Sequence, residues 1–392
     1  MELTAFLTLM AQKNASDLLF SAGAAPSIKI EGMTQRIGEA VLGAEQIRAM
    51  AYSIMNERQQ RDFEASWEMN LAVALGDLGR FRVNIYRQRG DVAMAVRFIT
   101  NKIPTIESLR LPQILKDIIM LPRGLVLVVG STSSGKSTTL ASMIDYRNEH
   151  CTGHILTVEE PIEYVHTHKL SVVDQREIGL DTQSYANALK NAMREAPDVI
   201  MIGEIRDRET MQAAIAYAET GHLCLSTLHA NNANQTLDRI INFFPESARQ
   251  QLLIDLSLNL KAVVGQRLLK GTRTKRVPAV ELLMTSAYIS DLIEKGEIAT
   301  IREAMKQGNE QGMQTFDQAL YRLYAAGDIT YQEALDHADS HTDLALRVRL
   351  EGPAPPLGEA AELHLEELQD MLADPHATPG KPGRPPPKGS ET

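Results

Sequence analysis

The sequence predicts an α/β protein with a small α+β domain, a doubly wound parallel-sheet domain, a helical C-terminal extension and a flexible tail. Two observations carry this prediction. From Leu115 onward, short and almost wholly apolar strands alternate with helical patterns, as in a parallel sheet that helices cover on both faces. The octapeptide G-S-T-S-S-G-K-S at Gly130–Ser137 follows the first of these strands, and its pattern fits a phosphate-binding loop.

Residues 1–100 read as the α+β domain. Apolar residues at helical spacing predict a first helix. Turn signals then separate short strand patterns at 27–31 and 34–37 from a helical segment at about 44–63. A hairpin and a third strand complete a meander, at 71–75, 79–87 and 91–99.

Residues 101–112 carry Pro104 and Pro112 around short apolar stretches and read as a linker. The second domain is predicted at 113–350. Its predicted strands are 125–129, 153–158, 199–202 and 223–228, and its predicted helices are 183–194, 210–219 and 233–242. The region from 247 to about 350 is expected to be mostly helical.

The tail at 351–392 holds nine of the 17 prolines and is expected to be flexible. Its segment 358–372 carries an apolar stripe at helical spacing. That segment reads either as a solvated extension or as a tethered helix that folds into a groove of a partner.

Composition narrows the class of protein. The chain has 392 residues, of which 44% are apolar and 23% charged, as in soluble globular proteins. No apolar stretch reaches the roughly 18 residues that span a bilayer. Two cysteines, Cys151 and Cys224, fit a reducing cytosol and exclude a four-cysteine zinc module. A net charge of −10 argues against nucleic acid as the main partner.

The loop itself predicts a nucleoside triphosphate site. Two glycines let the backbone N–H groups curl inward toward phosphate oxygens at the positive end of the following helix. Lys136 supplies a charge to the β- and γ-phosphates, and the Ser137 hydroxyl is a ligand for Mg²⁺. The candidate nucleotide-binding residues are Gly130, Ser131, Thr132, Ser133, Ser134, Gly135, Lys136, Ser137 and Thr138.

Two further strands end in carboxylates. Glu204 follows the apolar strand 199–202 and is expected beside the Mg²⁺ site, acting partly through water. Glu159, Glu160 and Glu163 follow the strand 153–158, where Pro161 stiffens the turn. ATP hydrolysis needs a base for the attacking water, so the turn is either a solvated acidic turn or the source of that base, with Glu163 preferred.

Histidines and arginines supply the remaining candidates. His222 and His229 bracket a buried strand, and they read either as ordinary strand-end residues or as sensors of the γ-phosphate. Zinc is a poor alternative because further ligands are missing nearby. Arg80, Arg82 and Arg97 lie on strands of the first domain, as a solvated face or as a phosphate clamp.

In their order along the chain, these motifs resemble the secretion-type ATPases of type IV pili, namely the PilT/PilU retraction ATPases. The sequence similarity covers about residues 1–350. It includes Ala15–Leu18, Asp174–Glu177, Ala218–His222 and Gln314–Asp317.

The resemblance implies a PAS-like first domain and a RecA-like ATPase domain. It implies Lys136 as the Walker A lysine, Glu163 as the catalytic carboxylate of an acidic box and Glu204 as the Walker B acid. It also implies a histidine box at His222 and His229, and arginines matching Arg82 and Arg97 that reach the nucleotide.

The resemblance further implies ATP and Mg²⁺ as cofactors and a homohexameric ring. The expected partners are an inner-membrane platform protein of the pilus and a paralogous retraction ATPase. The protein would lie in the cytoplasm at the inner membrane, touching the membrane only through partners and binding no nucleic acid.

This chain departs from the family pattern at three points, and in these it resembles the PilU branch of the family. Glu159-Glu160 replaces Glu-Asp, Ser290 stands at an arginine position, and the tail is longer. The residues leave two alternative functions open. One is a nucleic-acid translocase with a similar core, which the missing basic stripes and aromatic platforms disfavour. The other is a regulatory nucleotide-binding module without turnover.

Overall fold

The computed structural model describes residues 3–30, 32–99, 102–308 and 312–351. Within the first hundred of these residues, helices pack against one antiparallel sheet. The helices are α1 (Leu3–Gln12), α2 (Ala44–Ser53) and α3 (Glu57–Ser66). The strands are β1 (Asp17–Phe20), β2 (Ser27–Ile30), β3 (Met33–Arg36), β4 (Glu68–Ala74), β5 (Arg80–Gln88) and β6 (Asp91–Ile99). Their spatial order is β3-β2-β1-β6-β5-β4.

The core of this first unit follows the apolar pattern of the sequence. On α1, the buried residues are Leu3, Phe6, Leu7 and Met10, the stripe that helical spacing predicts. The single helical segment expected at 44–63 is wrong. It divides at Asn56, whose side chain accepts a hydrogen bond from the Gln59 N–H and so begins a new helix.

The second unit contains a larger sheet flanked by helices. Its elements up to the last strand are α4 (Ile114–Ile119), β7 (Gly124–Val129), α5 (Lys136–His150), β8 (Gly153–Glu159), β9 (Ser171–Glu177), α6 (Tyr185–Ala192), β10 (Val199–Ile202), α7 (Arg208–Glu219), β11 (Leu223–Leu228), α8 (Ala233–Asn242), α9 (Glu246–Asn259), β12 (Leu260–Lys270) and β13 (Arg276–Met284). The helices that follow are α10 (Ala287–Lys295), α11 (Ile298–Gln307), α12 (Phe316–Ala325), α13 (Tyr331–Asp336) and α14 (His341–Glu351).

The strands of this sheet lie in the order β13-β12-β7-β11-β10-β8-β9. All neighbours are parallel except β13, which runs antiparallel to β12. Every residue of β7 is buried. Leu125 and Leu127 join one core cluster while Val126 and Val128 join another, so side chains cover both faces. The predicted parallel sheet covered on both faces is therefore confirmed.

The expectation of a mostly helical region from 247 onward is wrong for residues 260–284. These residues form β12 and β13, which pair along nine residues. Most of β12 is buried on both faces, so its apolar run lacks the alternation that distinguishes a strand from a buried helix. The edge strand β9 was also missed, because five of its seven residues are polar.

The predicted linker packs against the second unit. The Ser142 hydroxyl on α5 donates a hydrogen bond of 2.6 Å to the carbonyl of Pro104, and Ile106 and Leu111 are buried. The predicted tail lies outside the described residues, apart from Glu351, which ends α14. Within the described part of the chain, each helix is too short or too polar to cross a bilayer.

Candidate nucleotide site

The phosphate-binding loop connects the carboxyl end of β7 to α5. Gly130 has φ 154° and Gly135 has φ 92°, values that residues with a Cβ rarely adopt. A Cβ at Gly130 would lie 2.4 Å from the carbonyl oxygen of Gln266, which leaves no room for a side chain. The loop therefore needs these glycines both for its backbone conformation and for its packing against β12.

Lys136 begins α5 and is buried beneath the loop. Its ammonium donates hydrogen bonds of 2.9 and 2.8 Å to the carbonyls of Gly130 and Ser131. Burial lowers the pKa of this ammonium, while the carboxylates of Glu204 and Glu163 oppose that shift. The charge thus lies between the loop and two acidic side chains.

A cavity of about 200 Å³ opens beside Lys136 at the carboxyl edge of the sheet. Seven residues of the loop and α5 line it together with the acidic turn, the end of β10 and the end of β11. The predicted site residues among its lining are Thr132, Ser133, Lys136, Ser137, Glu163, Glu204 and His229. Residues far apart in sequence thus meet where the carboxyl ends of parallel strands place ligands.

Glu204 is held by two side chains. Its Oε2 accepts a 2.7 Å hydrogen bond from Nε of Arg206, and its Oε1 lies 3.2 Å from Nε2 of His229. Arg206 also reaches Glu160, with 2.9 Å between Nη1 and Oε2. Arg206, which the sequence analysis did not select, therefore joins the ends of β8 and β10 through their carboxylates.

The three carboxylates of the acidic turn have different surroundings. Glu159 is buried, accepts hydrogen bonds from Thr157 and Gln175, and has its pKa raised to about 7 by burial. Glu160 is paired with Arg206. Within the described chain, the carboxylate of Glu163 has no hydrogen-bond partner, and it faces the cavity near Lys136.

The oxygen atoms that line the cavity are suitable ligands for Mg²⁺. Ser137 and Glu204 both present oxygen atoms to the cavity, and oxygen is the ligand this cation prefers. Among the described residues, no group of three or more His, Cys, Asp or Glu side chains could hold a metal alone. This fits a cation held by one or two protein oxygens, water and substrate phosphates.

Comparison with known proteins gives the family. The model of the type II/IV secretion system proteins matches residues 85–322. The type IV pilus ATPase PilU of Pseudomonas aeruginosa is 53% identical over 351 residues, covering 89% of this chain and 92% of that protein. The chain belongs to this family of secretion ATPases. Within the family it is a type IV pilus ATPase, since PilT of the same bacterium, a type IV pilus retraction ATPase, is also 41% identical over 86% of this chain and 98% of that protein.

Solved structures agree with this assignment. The crystal structure of the pilus retraction motor PilT with bound ADP has a TM-score of 0.83 and 39% sequence identity, covering 88% of this chain and 99% of that chain. The ATPase DotB of Legionella pneumophila has a TM-score of 0.73 and 26% identity, covering 84% and 93%. The α/β fold of this secretion ATPase is therefore the fold of known motor ATPases.

The structure separates the two predicted histidines. His229 follows the carboxyl end of β11 and lines the cavity. His222 precedes the same strand, where its carbonyl accepts a hydrogen bond from Gly124 at the start of β7. Its imidazole contacts the Thr220 hydroxyl and the Tyr217 carbonyl, so it lies at the opposite edge of the sheet. Both histidines lie at strand ends as predicted, but the direction of β11 puts them at opposite ends of that strand.

The two predicted arginines lie outside the cavity lining. Arg82 on β5 pairs in register with Arg97 on β6, so both side chains share one face of the first sheet. Nε of Arg97 is 3.0 Å from the carboxylate of Asp17, and 67% of the Arg97 side chain is exposed. Within one chain, neither arginine is among the side chains that line the nucleotide cavity.

The remaining predicted loop residues have separate surroundings. Gly130 and Ser131 line a second pocket with His229 and α8. The Thr138 hydroxyl lies 2.9 Å from that of Tyr164, beyond the acidic turn. The hydroxyl of Ser134 is buried and has no partner among the described atoms.

Sequence reasoning missed Gln266 on β12. This side chain is 3% exposed, and its Oε1 accepts a 2.7 Å hydrogen bond from the Thr139 hydroxyl. Its amide nitrogen also lies close to Gly135. A polar residue within an apolar run is the signal that identifies Gln266, but the prediction of a helix over this run obscures it.

Proposed function

We propose that this secretion ATPase binds Mg·ATP in the cavity beside Lys136 and uses its hydrolysis to power retraction of a type IV pilus, alone or by assisting a paralogue. One observation carries the proposal. A buried lysine of a phosphate-binding loop lies in the same cavity as Glu163, Glu204 and His229.

In this proposal each side chain has a distinct role. Lys136 and the loop N–H groups bind the β- and γ-phosphates. Ser137 and Glu204 hold Mg²⁺, which would neutralise charge on the phosphates. Glu163 accepts the proton of the attacking water, and His229 contacts the γ-phosphate from the end of β11.

The surroundings of the acidic turn support Glu163 as the base. A general base needs a carboxylate that is free to accept a proton from water. Glu160 is engaged by Arg206, and Glu159 is buried with its pKa raised to about 7. Glu163 is the remaining carboxylate of the turn, and it lines the cavity.

A ring of six copies would account for the residues outside the cavity. We propose that Arg82 and Arg97 reach a nucleotide when the first domain moves or when a neighbouring copy presents them. We also propose that His222 senses the γ-phosphate together with His229, and that it reaches the nucleotide only through such a movement or from a neighbouring copy. We retain the division into a PAS-like domain at 1–100, a linker at 101–112 and a RecA-like domain at 113–350, while the tail predicted at 351–392 lies outside the described residues apart from Glu351. Among the described residues the two sheets share no strand, which supports the division into two domains.

The relatives suggest where this motor works. The names of the relatives refer to type IV pili, pilus retraction and, in Neisseria gonorrhoeae, twitching motility. We propose that this chain acts in the cytoplasm at the inner-membrane base of the pilus. Its partners there are the platform protein and a paralogous retraction ATPase, with the membrane contacted only through them.

Replacing Lys136 with alanine tests the active site. Lys136→Ala should reduce the rate of phosphate release from ATP by at least about 10²-fold, because no other cation of the loop contacts these phosphates. The same variant should fail to restore twitching to cells that lack the protein. Lys190→Ala, an exposed lysine on α6, is the matched control and should keep both activities. Near-normal turnover by Lys136→Ala would overturn the assignment of the site.

A further inference from the structure

An arginine of the first sheet touches the ATPase sheet near the acidic turn. Arg80 begins β5, and its Nη2 lies 3.8 Å from Oε2 of Glu177, the last residue of β9. The Glu177 side chain is 3% exposed and that of Arg80 is 26% exposed. The pair therefore joins the two units at a buried carboxylate.

Glu177 is in turn connected to the backbone that carries Glu163. Its Oε2 accepts a hydrogen bond of 3.4 Å from the N–H of Ile162, the residue before Glu163. Ile178, the residue that follows this strand, donates a 2.9 Å hydrogen bond to the carbonyl of Glu159. The end of β9 thus holds the acidic turn at two points that precede the proposed base.

The charge of Arg80 matters because Glu177 is buried. A carboxylate taken out of water needs a cation or strong hydrogen bonds to stay ionised in place. The hydrogen bond from Ile162 is long, so by itself it compensates little of the lost hydration. Without Arg80, the Glu177 side chain would be free to turn toward water, and its hold on Ile162 would loosen.

We propose that Arg80 is a positioning residue for ATP hydrolysis: through Glu177 it fixes the turn that presents Glu163 to the attacking water. This inference rests on the role proposed above for Glu163. It also makes hydrolysis depend on how the first domain sits against the second, since a movement that separates Arg80 from Glu177 releases the base. Arg80 acts on the proton acceptor and not on ATP binding.

Kinetics distinguish this role from a merely structural one. In the full-length protein, Arg80→Ala should lower kcat by about 10- to 100-fold, since a displacement of about 1 Å can cost that much. The KM for ATP should stay within about twofold, and the melting temperature should be close to that of the parent. Arg80→Lys should recover part of kcat. Arg36→Ala on the exposed strand β3 is the matched control and should have parental values.

Two double variants test the connection. Glu177→Gln keeps an acceptor for Ile162 but loses the charge, so it should lower kcat as Arg80→Ala does, and the Arg80→Ala, Glu177→Gln double variant should be no slower than the slower single variant. Adding Arg80→Ala to Glu163→Gln should not lower kcat below the value of Glu163→Gln alone. Should either variant of Arg80 fail to fold, Glu177→Gln carries the same test.

The result that overturns the inference is a parental kcat in Arg80→Ala or Glu177→Gln, or fully additive effects in both pairs. A rise in KM with kcat unchanged would also overturn it, because Arg80 would then act on ATP binding. A parental rate in Glu163→Gln alone would instead show that the role proposed for Glu163 fails, and it would do so independently of the Arg80 and Glu177 single variants.

Discussion

At the scale of single residues, the loop depends on a side chain from another part of the chain. Gln266 closes the space behind the loop glycines and accepts the hydrogen bond of Thr139 in the first turn of α5. A preorganised loop binds phosphate without first ordering its own backbone. We therefore expect Gln266 to stabilise the conformation of the phosphate-binding loop.

Gln266→Ala should raise the KM for ATP several-fold, because the loop loses its support and the Thr139 hydroxyl is left buried without its acceptor. The lost hydrogen bond should also lower the free energy of unfolding by about 1–3 kcal/mol. ATPase titrations and chemical denaturation measure the two effects. Gln332→Ala, at an exposed position of α13, is the control. A parental KM in Gln266→Ala would show that the loop keeps its conformation without Gln266.

Single residues of the site were predictable to different degrees. The loop follows a local pattern, so the sequence alone identifies Gly130–Ser137. The difference between Glu160 and Glu163 is not local, because it depends on Arg206, which approaches from the end of β10. The turn at Pro161 and the resemblance to a family both favour Glu163, and the structure adds a physical reason for it.

At the scale of elements, β13 provides a buried acid that holds a helix. Glu281 is 3% exposed, and its carboxylate accepts a 2.6 Å hydrogen bond from the Ala233 N–H at the start of α8. Burial raises the pKa of Glu281 from 4.5 to about 7, although this hydrogen bond opposes the shift. Glu281 thereby connects β13 to the helix that follows His229.

The sign of the pH effect follows from this shift. Between pH 4.5 and 7 the folded protein keeps a proton on Glu281 that the unfolded chain has released, so stability falls as pH rises. Glu281→Gln keeps an acceptor and has no charge to bury. It should therefore be similar to the parent at pH 5 and more stable at pH 8, by on the order of 2 kcal/mol.

Thermal unfolding of the parent and of Glu281→Gln at several pH values measures this difference. Glu159 contributes a slope of the same sign to both proteins, so comparison isolates Glu281. Glu246→Gln, at an exposed position of α9, should run parallel to the parent. Parallel curves for Glu281→Gln would contradict the raised pKa.

Elements were predictable where one face is polar or where a turn signal bounds them. Apolar spacing gave α1 and the central strands β7, β8, β10 and β11. It failed for β12, because this strand is 11 residues long, the length of a helix, and burial on both faces removes the period of two that would have identified it as a strand. Strand direction and strand order follow from long-range pairing. The local sequence therefore could not show that His222 and His229 lie at opposite ends of β11.

At the scale of the whole molecule, the nucleotide site and the first domain are linked by Arg80 and Glu177. The face of the first sheet that carries Arg80 also carries Arg82 and Arg97, since alternate residues of β5 and their partners on β6 point to the same side. Closure of this face on ATP, within one copy or between copies, would couple hydrolysis to domain movement. Nothing in the local sequence shows which domain surface meets the other.

In the proposed mechanism, hydrolysis of ATP by the whole molecule depends on one carboxylate. Glu163→Gln should bind ATP within about twofold of the parent affinity, because the amide has nearly the same shape and Lys136 and the loop are intact. Its single-turnover rate of hydrolysis should fall by about 10²–10⁴-fold, the usual contribution of a general base. Glu160→Gln, three residues away and paired with Arg206, is the matched comparison and should lose much less. A near-parental rate in Glu163→Gln, or a larger loss in Glu160→Gln, would contradict the central claim that Glu163 activates the attacking water in this cavity.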